Sequence, residues 1–431
     1  MKTLNNKALT HKKVLKTLSK HTIFDADSKT CSLKDSHDSY LIDLNGKKYL
    51  DMASSFGSMP LGYNHPVLCA KMLEHPEVFI NKIANGDLYT EFYEAFVDKF
   101  FQNVPKEFTR AFFIDNGTNA CDAALKCCFD FYAKKHNLTD EQVNDLDIVS
   151  FYGGFHGRCG LPVSLTSTDP NKTKLYPKHK FTKIIAPSIK LPINIEELER
   201  LESQSLSALE NALKTNKVVA CIFEPLLSEG GNMILSSKYL QEVRNLTKQY
   251  DTFLIFDEIQ TGMGMSGKYW LGADYYGVMP DIMCVGKKLQ VSGFTVSDKI
   301  NEIPCHIFND RSRISSTFGG STIDMLRATI VFDIINEEKL LENAHIQGEY
   351  LLNGIYHVTK NSEISNIRGI GLLIAFDLPN TEKRDKLLND LNEKIYCLPA
   401  GAVSIRLRPF LNITKKDCDL FLNILEDTIT E

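Results

Sequence analysis

An acidic residue and a lysine, thirty positions apart, each follow a stretch of apolar residues in this chain. Asp257 comes directly after TFLIF, and Lys287 comes after DIMCVG. Taken alone, Asp257 could equally have a structural role, as a helix cap or in a salt bridge, and Lys287 could simply lie on the surface. Together they match what pyridoxal phosphate (PLP) requires, because that cofactor needs a lysine for a Schiff base and an acid that keeps its ring nitrogen protonated. The pair therefore predicts a PLP site.

Two further stretches supply groups that such a cofactor could use. NGTNACDAALK stands between an apolar stretch and a helical pattern, so its backbone N–H groups and hydroxyl would lie at a helix N-terminus, where a phosphate binds well. Phe155 in GGFHGR offers an aromatic face to a planar ring, although a place in the core is the simpler explanation. In an open α/β sheet, ligands bind beyond the carboxyl ends of the strands, and these loops are expected there.

The composition is that of an ordinary globular chain. The 431 residues allow two or three domains, and 43% of them are hydrophobic, which is enough for a sizeable core. A formal net charge of −5 gives no global attraction to nucleic acid or to an anionic membrane. The eleven cysteines form no C-x-x-C pair, so reduced thiols in the cytoplasm are expected.

Apolar strands alternate with amphipathic helices through most of the chain. This order predicts an α/β fold with a large, mostly parallel sheet covered on both faces. From about residue 325 the pattern changes to two helices, two strand-like stretches and a final helix, which predicts a smaller α+β domain. The expected division is 1–60 as an N-terminal part of the small domain, 61–325 as the large PLP-binding domain, and 326–431 as the C-terminal small domain.

From YLIDLNGKKYLDM to SIRLRPFLN the sequence resembles the class III PLP-dependent aminotransferases, which have fold type I. The most specific motifs are LIFDEIQTGMGMSGKYW, PDIMCVGKK and STFGG. Within the family, YGGFHGRCG, SRISSTFGGSTIDM and LPAGAVSIRLRPFL are most similar to the L-lysine 6-transaminases, and SMPLGYNHP is also similar to the 4-aminobutyrate transaminases. The resemblance implies a seven-stranded type of sheet in the large domain and a small domain formed by both chain ends.

The resemblance also implies a role for each matching residue. Lys287 is the sixth residue after Asp281, and this count favours Lys287 over Lys288 for the Schiff base. For the cofactor, the resemblance implies that Asp257 pairs with the ring nitrogen, Gln260 hydrogen-bonds the ring hydroxyl, and Phe155 stacks on the ring face. Gly117 and Thr118 would bind the phosphate, and Thr317 would bind the phosphate in the partner subunit's site. For the substrates, Arg158 would bind the distal carboxylate, Arg406 the α-carboxylate of 2-oxoglutarate or glutamate, and Glu229 would neutralise Arg406 when no carboxylate is bound there.

The implied activity is an ω-aminotransferase that works as a cytoplasmic homodimer. It would move the terminal amino group of L-lysine to 2-oxoglutarate, giving 2-aminoadipate 6-semialdehyde and glutamate. 4-Aminobutyrate, ornithine or another ω-amino acid is the alternative donor. A non-catalytic binding protein on the same fold is the remote alternative, disfavoured because the lysine, the acid and both arginines are present.

Two departures from the relatives bear on these expectations. Phe56 stands where they tend to carry a smaller aliphatic residue near the substrate, so its ring would shorten or reshape the amine pocket. Asn116 and Asn119 stand where the animal 4-aminobutyrate transaminase has an iron–sulfur ligand pair, so no such cluster is expected. No H-E-x-x-H is present either, and no metal site is expected.

A glycine pattern and a basic segment offer competing interpretations. Gly262, Gly264 and Gly267 spell G-x-G-x-x-G, but DEIQT separates them from the strand, and YWLGADYYG after them is no obvious helix. A P-loop would need serine or threonine after Lys268, where Tyr269 stands. The basic N-terminal segment is expected to be a solvated arm rather than a site for a membrane or nucleic acid.

Overall fold

The computed structural model of the chain describes residues 11–25, 28–310 and 312–430. The first ten residues of the predicted basic arm lie outside this part. The arm's remainder includes a helix that was not predicted from the sequence, and this helix has no buried residue.

Sixteen strands occur in the described part of the chain. They are β1 Tyr40–Ile42, β2 Lys48–Asp51, β3 Phe108–Ile114, β4 Asp147–Phe151, β5 Thr182–Ile184, β6 Val218–Phe223, β7 Leu226–Leu227, β8 Met233–Ile234, β9 Phe253–Asp257, β10 Ile282–Val285, β11 Ser292–Ser297, β12 Ser365–Ile370, β13 Leu373–Asp377, β14 Ile395–Tyr396, β15 Leu398–Ala400 and β16 Ser404–Leu407.

The α-helices, in chain order, pack around these strands. They are α1 His11–His21, α2 Ser54–Gly57, α3 Pro66–Leu73, α4 Pro76–Ile80, α5 Glu91–Asn103, α6 Gly117–Lys135, α7 Asp140–Val143, α8 Pro162–Leu165, α9 Ile195–Leu213, α10 Ser237–Gln249, α11 Gly272–Tyr276, α12 Thr322–Glu337, α13 Leu340–Val358, α14 Thr381–Leu391 and α15 Lys415–Thr430.

The largest sheet has seven strands in the order β3-β11-β10-β9-β6-β4-β5. Strands β10, β9, β6, β4 and β5 run parallel, and β11 is antiparallel to both of its neighbours. Every residue of β6, β9 and β10 is buried, as expected for strands covered by helices on both faces. The predicted fold, a large mostly parallel sheet of the fold type I class, is confirmed.

Both chain ends contribute to the smaller sheets. β1 and β2 form an antiparallel hairpin, and β2 pairs in parallel with β14 from the C-terminal region. A second sheet of four strands has the order β12-β13-β16-β15. Ser54 adds a bond between the two regions, because its hydroxyl donates to the Arg408 carbonyl over 2.6 Å.

Two short segments differ from what the sequence pattern indicated. YWLGADYYG contains α11, which ends at Gly277 in the left-handed region, with φ of 64°. Five residues are too few to show a helical period, so the absence of a helix here was a wrong expectation. α2 is a turn in which Ser54, Ser55 and Phe56 all have positive φ, between 40° and 59°, a conformation costly for residues with a side chain.

Among the described residues, no helix combines the length and the apolar character that crossing a bilayer requires.

Candidate active site

The strands of the large sheet end at one cavity of about 650 Å³. Ten of the eleven site residues predicted from the sequence line it, namely Phe56, Gly117, Thr118, Phe155, Arg158, Glu229, Asp257, Gln260, Lys287 and Arg406. The sheet explains this convergence. β9 ends at Asp257, and Cys284 of the parallel strand β10 lies in register with it, so the residues just after β10 reach the same edge.

Lys287 lies in the cavity on a strained turn. Its φ is 47°, in the left-handed region that few residues with a side chain adopt. Gln290 holds the turn, because its backbone N–H donates to the Lys287 carbonyl over 2.7 Å and its side chain donates to the Ser58 carbonyl over 2.8 Å. Burial, and then the charge of the buried Arg408, lower the pKa of Lys287 to about 8. A larger share of this amine is therefore neutral near physiological pH than for an ordinary lysine.

Lys288 is directed away from the cavity. Its ammonium donates to the Met59 carbonyl over 2.6 Å and to the Ser54 hydroxyl over 3.1 Å. Its side chain is fully buried, and burial followed by the charge of Arg408 lowers its pKa to about 7. Of the two adjacent lysines, Lys287 is thus the one that is available at the site.

Two side chains donate hydrogen bonds to the carboxylate of Asp257. Its Oδ2 accepts from His156 Nδ1 over 2.8 Å and from the Cys121 thiol over 3.4 Å, and its Oδ1 accepts from the Ile259 backbone N–H. Burial alone would lower the pKa of His156, but its hydrogen bonds to Asp257 and Cys121 and the negative charge of Asp257 outweigh it and raise that pKa to about 9. His156 is therefore a cation at neutral pH, and its charge stabilises the carboxylate of Asp257.

Neither His156 nor Cys121 was among the site residues predicted from the sequence. Their ligand-type atoms and that of Asp257 lie within 4.8 Å of one another. The hydrogen bonds to Oδ2 account for this closeness.

Helix α6 begins at the cavity with groups suited to an anion. The N-cap residue Asn116 accepts from the Asn119 backbone N–H, which leaves the N–H groups of Gly117 and Thr118 in the first turn for another acceptor. The helix is 19 residues long, so its dipole adds to the attraction for a phosphate. Gly157 must be a glycine here, because a Cβ would lie 2.5 Å from a methyl carbon of Thr118, and its φ is 142°.

Buried polar atoms at the cavity fit a polar ligand. Gln260 Oε1 lines it without a hydrogen-bond partner, and Nε of Arg406 is likewise buried and without a partner. A buried amide oxygen without a donor is costly, so the site is arranged for a group that supplies one. The lysine amine, the acid, the anion-binding helix start and this oxygen together form a donor set that fits PLP.

The second half of the site is an ion pair between Arg406 and Glu229. Arg406 Nη2 lies 2.6 Å from Glu229 Oε1, and its Nη1 donates to the Ser228 carbonyl over 3.2 Å. The Arg406 side chain is only 3% exposed. Burial by itself would raise the pKa of Glu229, but Arg406 and then Lys172 lower it to about 2. Glu229 is thus ionised and neutralises the arginine.

Arg158 and Phe56 are two exposed residues of the cavity wall. The Arg158 guanidinium lies 5.9 Å from the centre of the Phe155 ring, and the Phe56 side chain is about half exposed. Arg158 is thus accessible to a carboxylate from solvent, in contrast to the paired Arg406.

Glu224 is a cavity residue that the sequence analysis missed. It accepts from the backbone N–H groups of Phe155 and Ser228, over 2.8 and 3.2 Å. Burial, and then the charge of Asp257, raise its pKa to about 8. Glu224 thereby ties the loop of Phe155 to the β7–β8 turn that carries Glu229. The available signal was its position directly after the fully apolar strand β6.

Thr317 is the one predicted site residue that does not line the cavity of this chain. Its side chain is exposed, so the structure does not place it beside the N-terminus of α6 in its own subunit.

A family model described as aminotransferase class-III matches residues 23–429. The chain is a class III aminotransferase. The family depends on PLP, so the predicted cofactor and the predicted transaminase activity are confirmed.

Several relatives resemble this aminotransferase over nearly its whole length. The L-lysine-epsilon aminotransferase of Amycolatopsis lactamdurans is 36% identical and is covered over 94% of its length by 96% of this chain. The human mitochondrial 4-aminobutyrate aminotransferase is 29% identical, with 93% of this chain and 85% of the relative covered. A structure of the lysine aminotransferase from M. tuberculosis aligns with a TM-score of 0.93 at 31% identity, over 98% of this chain and 99% of the other.

Proposed function

We propose that this aminotransferase moves the terminal amino group of L-lysine to 2-oxoglutarate, giving 2-aminoadipate 6-semialdehyde and glutamate. The observation that carries the proposal is that one cavity holds two arginines in different states. Arg158 is exposed, whereas Arg406 is buried and neutralised by Glu229. Lysine bound through its terminal amine brings one carboxylate, and 2-oxoglutarate brings two, so an arginine that can be freed or neutralised serves both substrates.

The residues divide between holding the cofactor and moving protons. PLP, when bound, supplies an electron sink for the carbon that carries the amino group. Gly117 and Thr118 would hold its phosphate, Gln260 its ring hydroxyl, and Phe155 its ring face. These assignments are supported by the free N–H groups of α6 and by the unpartnered oxygen of Gln260.

Lys287 would be the base and the acid of the reaction. Its lowered pKa makes the neutral amine accessible near pH 7, and this amine would take a proton from the substrate carbon that carries the amino group and deliver it to the cofactor. Asp257, backed by the cation of His156, would keep the ring nitrogen protonated. Glu229 stays on Arg406 during the lysine half-reaction and leaves it when the second carboxylate of 2-oxoglutarate or glutamate arrives.

We also propose an active homodimer in the cytoplasm, in which Thr317 binds the phosphate in the partner's site. The homodimer is supported by Thr317, which is exposed and does not line the cavity of its own subunit. The cytoplasmic location is supported by the free cysteines, since free thiols persist in a reducing compartment.

4-Aminobutyrate is the second candidate donor, because the Phe56 ring stands on the cavity wall and a shorter donor needs less room. A panel of L-lysine, L-ornithine and 4-aminobutyrate with 2-oxoglutarate, measured as glutamate formed, separates the candidates. L-Lysine is expected to give the highest kcat/KM and a product that cyclises to an imine. A higher kcat/KM for 4-aminobutyrate would overturn lysine as the donor, and no glutamate from any donor would overturn the acceptor.

A further inference from the structure

A lysine outside the predicted site reaches the Glu229–Arg406 pair. Lys172 lies at the end of a short 3₁₀ turn, Pro170–Lys172, in the loop that follows α8. Its ammonium lies 3.1 Å from Glu229 Oε2, 3.4 Å from the Thr168 hydroxyl and 5.3 Å from the centre of the Phe155 ring. The Lys172 side chain is 19% exposed. Its position is therefore fixed by three neighbours on different segments.

The two cations hold different oxygens of the same carboxylate. Arg406 binds Oε1 of Glu229, and Lys172 binds Oε2. Because the contacts do not share an atom, Glu229 can rotate away from the arginine and keep its bond to the lysine. A carboxylate held by Arg406 alone would lose its only cation in the same movement.

That difference matters because of where Glu229 lies. Its side chain is 22% exposed, so much of the hydration that would stabilise a released carboxylate is missing. Leaving one member of a buried pair without its partner is strongly unfavourable. The acceptor half-reaction requires this separation, since Arg406 has to bind the second carboxylate of a dicarboxylic substrate.

We propose that Lys172 is a positioning residue that holds Glu229 when Arg406 is released, and so sets the affinity for the dicarboxylic acceptor. The inference rests on the proposed function, in which Arg406 binds that carboxylate. Lys172 is not among the residues that line the cavity. It acts through Glu229, and it lowers the free energy of the open state of the pair more than that of the closed state.

The test compares variants of Lys172 as PLP-loaded enzymes. Lys172→Met and Lys172→Gln remove the charge and keep much of the side-chain length, and Lys172→Arg retains the charge. Lys174→Met is the matched control, because Lys174 is exposed on the same loop and its ammonium bonds only to Asn171 among the contacts of the described residues. Two quantities are measured in each variant. One is the rate of the single-turnover half-reaction with L-glutamate and with L-lysine, and the other is calorimetric affinity for glutarate, which has two carboxylates and no reacting group.

Removing the charge is expected to weaken glutarate binding and to raise KM for L-glutamate roughly tenfold, a factor equal to about 1.4 kcal/mol. The L-lysine half-reaction should change less than threefold, Lys172→Arg should restore most of the loss, and Lys174→Met should resemble the parent. Equal losses in both half-reactions, or unchanged glutarate affinity, would overturn the role of Lys172.

Arg406→Ala, measured in parallel, distinguishes a failure of the role of Lys172 from a failure of the proposed function of Arg406. If that variant loses glutarate binding while the Lys172 variants do not, the inference fails and the proposed function stands. If Arg406→Ala binds glutarate normally, the proposed function of the pair fails, and the role of Lys172 fails with it.

Discussion

The Glu229→Gln substitution tests the central electrostatic argument, because it removes the charge that neutralises Arg406 and keeps the shape of the side chain. In the parent enzyme Glu229 lies 2.6 Å from a guanidinium whose side chain is only 3% exposed. Once the carboxylate is replaced by an amide, the arginine remains buried with the Ser228 carbonyl and a neutral side chain as its neighbours. The substitution should therefore damage the half-reaction that requires a neutralised arginine.

The expected size of the effect follows from the pKa of Glu229, which falls from its ordinary 4.5 to about 2. This corresponds to roughly 3 kcal/mol in favour of the ionised form. The amide oxygen can still accept from Arg406, so a neutral hydrogen bond recovers about 1 kcal/mol. The remaining 2 kcal/mol or so predicts a loss of about thirtyfold in kcat/KM for L-lysine. Glutamate displaces Glu229 from Arg406 in any case, and its half-reaction should change less than about threefold.

Stopped-flow measurement of each half-reaction, from the change in cofactor absorbance, distinguishes these outcomes. Glu242→Gln, on an exposed face of α10, is a suitable control for the loss of one negative charge. A thirtyfold loss with both substrates, or an unchanged lysine half-reaction, would refute the reasoning. Product analysis adds a second check, because an unpaired Arg406 attracts the α-carboxylate of lysine and should divert part of the reaction to the α-amine.

Four further predictions concern other parts of the site. The rate at which PLP binds to cofactor-free enzyme should rise with pH up to about 8, the lowered pKa of Lys287, and then level off. A rise that continues to pH 10 would contradict this, and Lys287→Ala should lack the absorbance of the Schiff base between lysine and PLP at any pH. The pKa of Lys288 is lowered to about 7 in the folded chain, so the unfolded chain binds more protons between pH 7 and 10, and the free energy of unfolding should increase by roughly 1 kcal/mol per pH unit there. Lys288→Met should remove the part of this slope that Lys288 contributes in urea titrations, leaving that of Lys287 above pH 8, and should retain activity. His156→Phe should raise the dissociation constant of PLP at least tenfold on dialysis, and an unchanged constant would show that Asp257 needs no support. Mixing Lys287→Ala with Thr317→Arg subunits should regain activity by forming one intact site per dimer, whereas no recovery would place Thr317 in its own subunit's site.

Much of the fold was readable from the sequence because strands buried on both sides are continuous apolar runs. VVACIF and TFLIFD are such runs, and they became neighbouring parallel strands. Parallel strands carry the residues that follow them to one edge, so Asp257 and Lys287 could be placed together without knowledge of any contact. The resemblance to a family then supplied roles that the pattern alone left open.

The contacts that other residues make with the cavity residues could not be predicted in this way. Lys172 and Glu229 are 57 positions apart, and Cys121 and Asp257 are 136 apart. Which side chains meet over such separations depends on the path of loops and on packing, neither of which has a periodic signal. The same limit applies to Arg408, whose charge adds to the effect of burial in lowering the pKa of both lysines.

The left-handed turn of α2 connects the walls of the cavity mechanically. Phe56 lies on the turn, the Ser54 hydroxyl donates to the Arg408 carbonyl, and the Arg408 backbone N–H donates to the Met52 carbonyl over 2.7 Å. Arg406 is only two residues from Arg408 along the same extended segment. A displacement of that segment therefore carries Phe56 and Arg406 together, so the space for the donor and the anchor for the acceptor change as one unit. Substituting glycine within the turn would relieve its strained backbone, stabilising the chain while loosening this coupling between the two substrates.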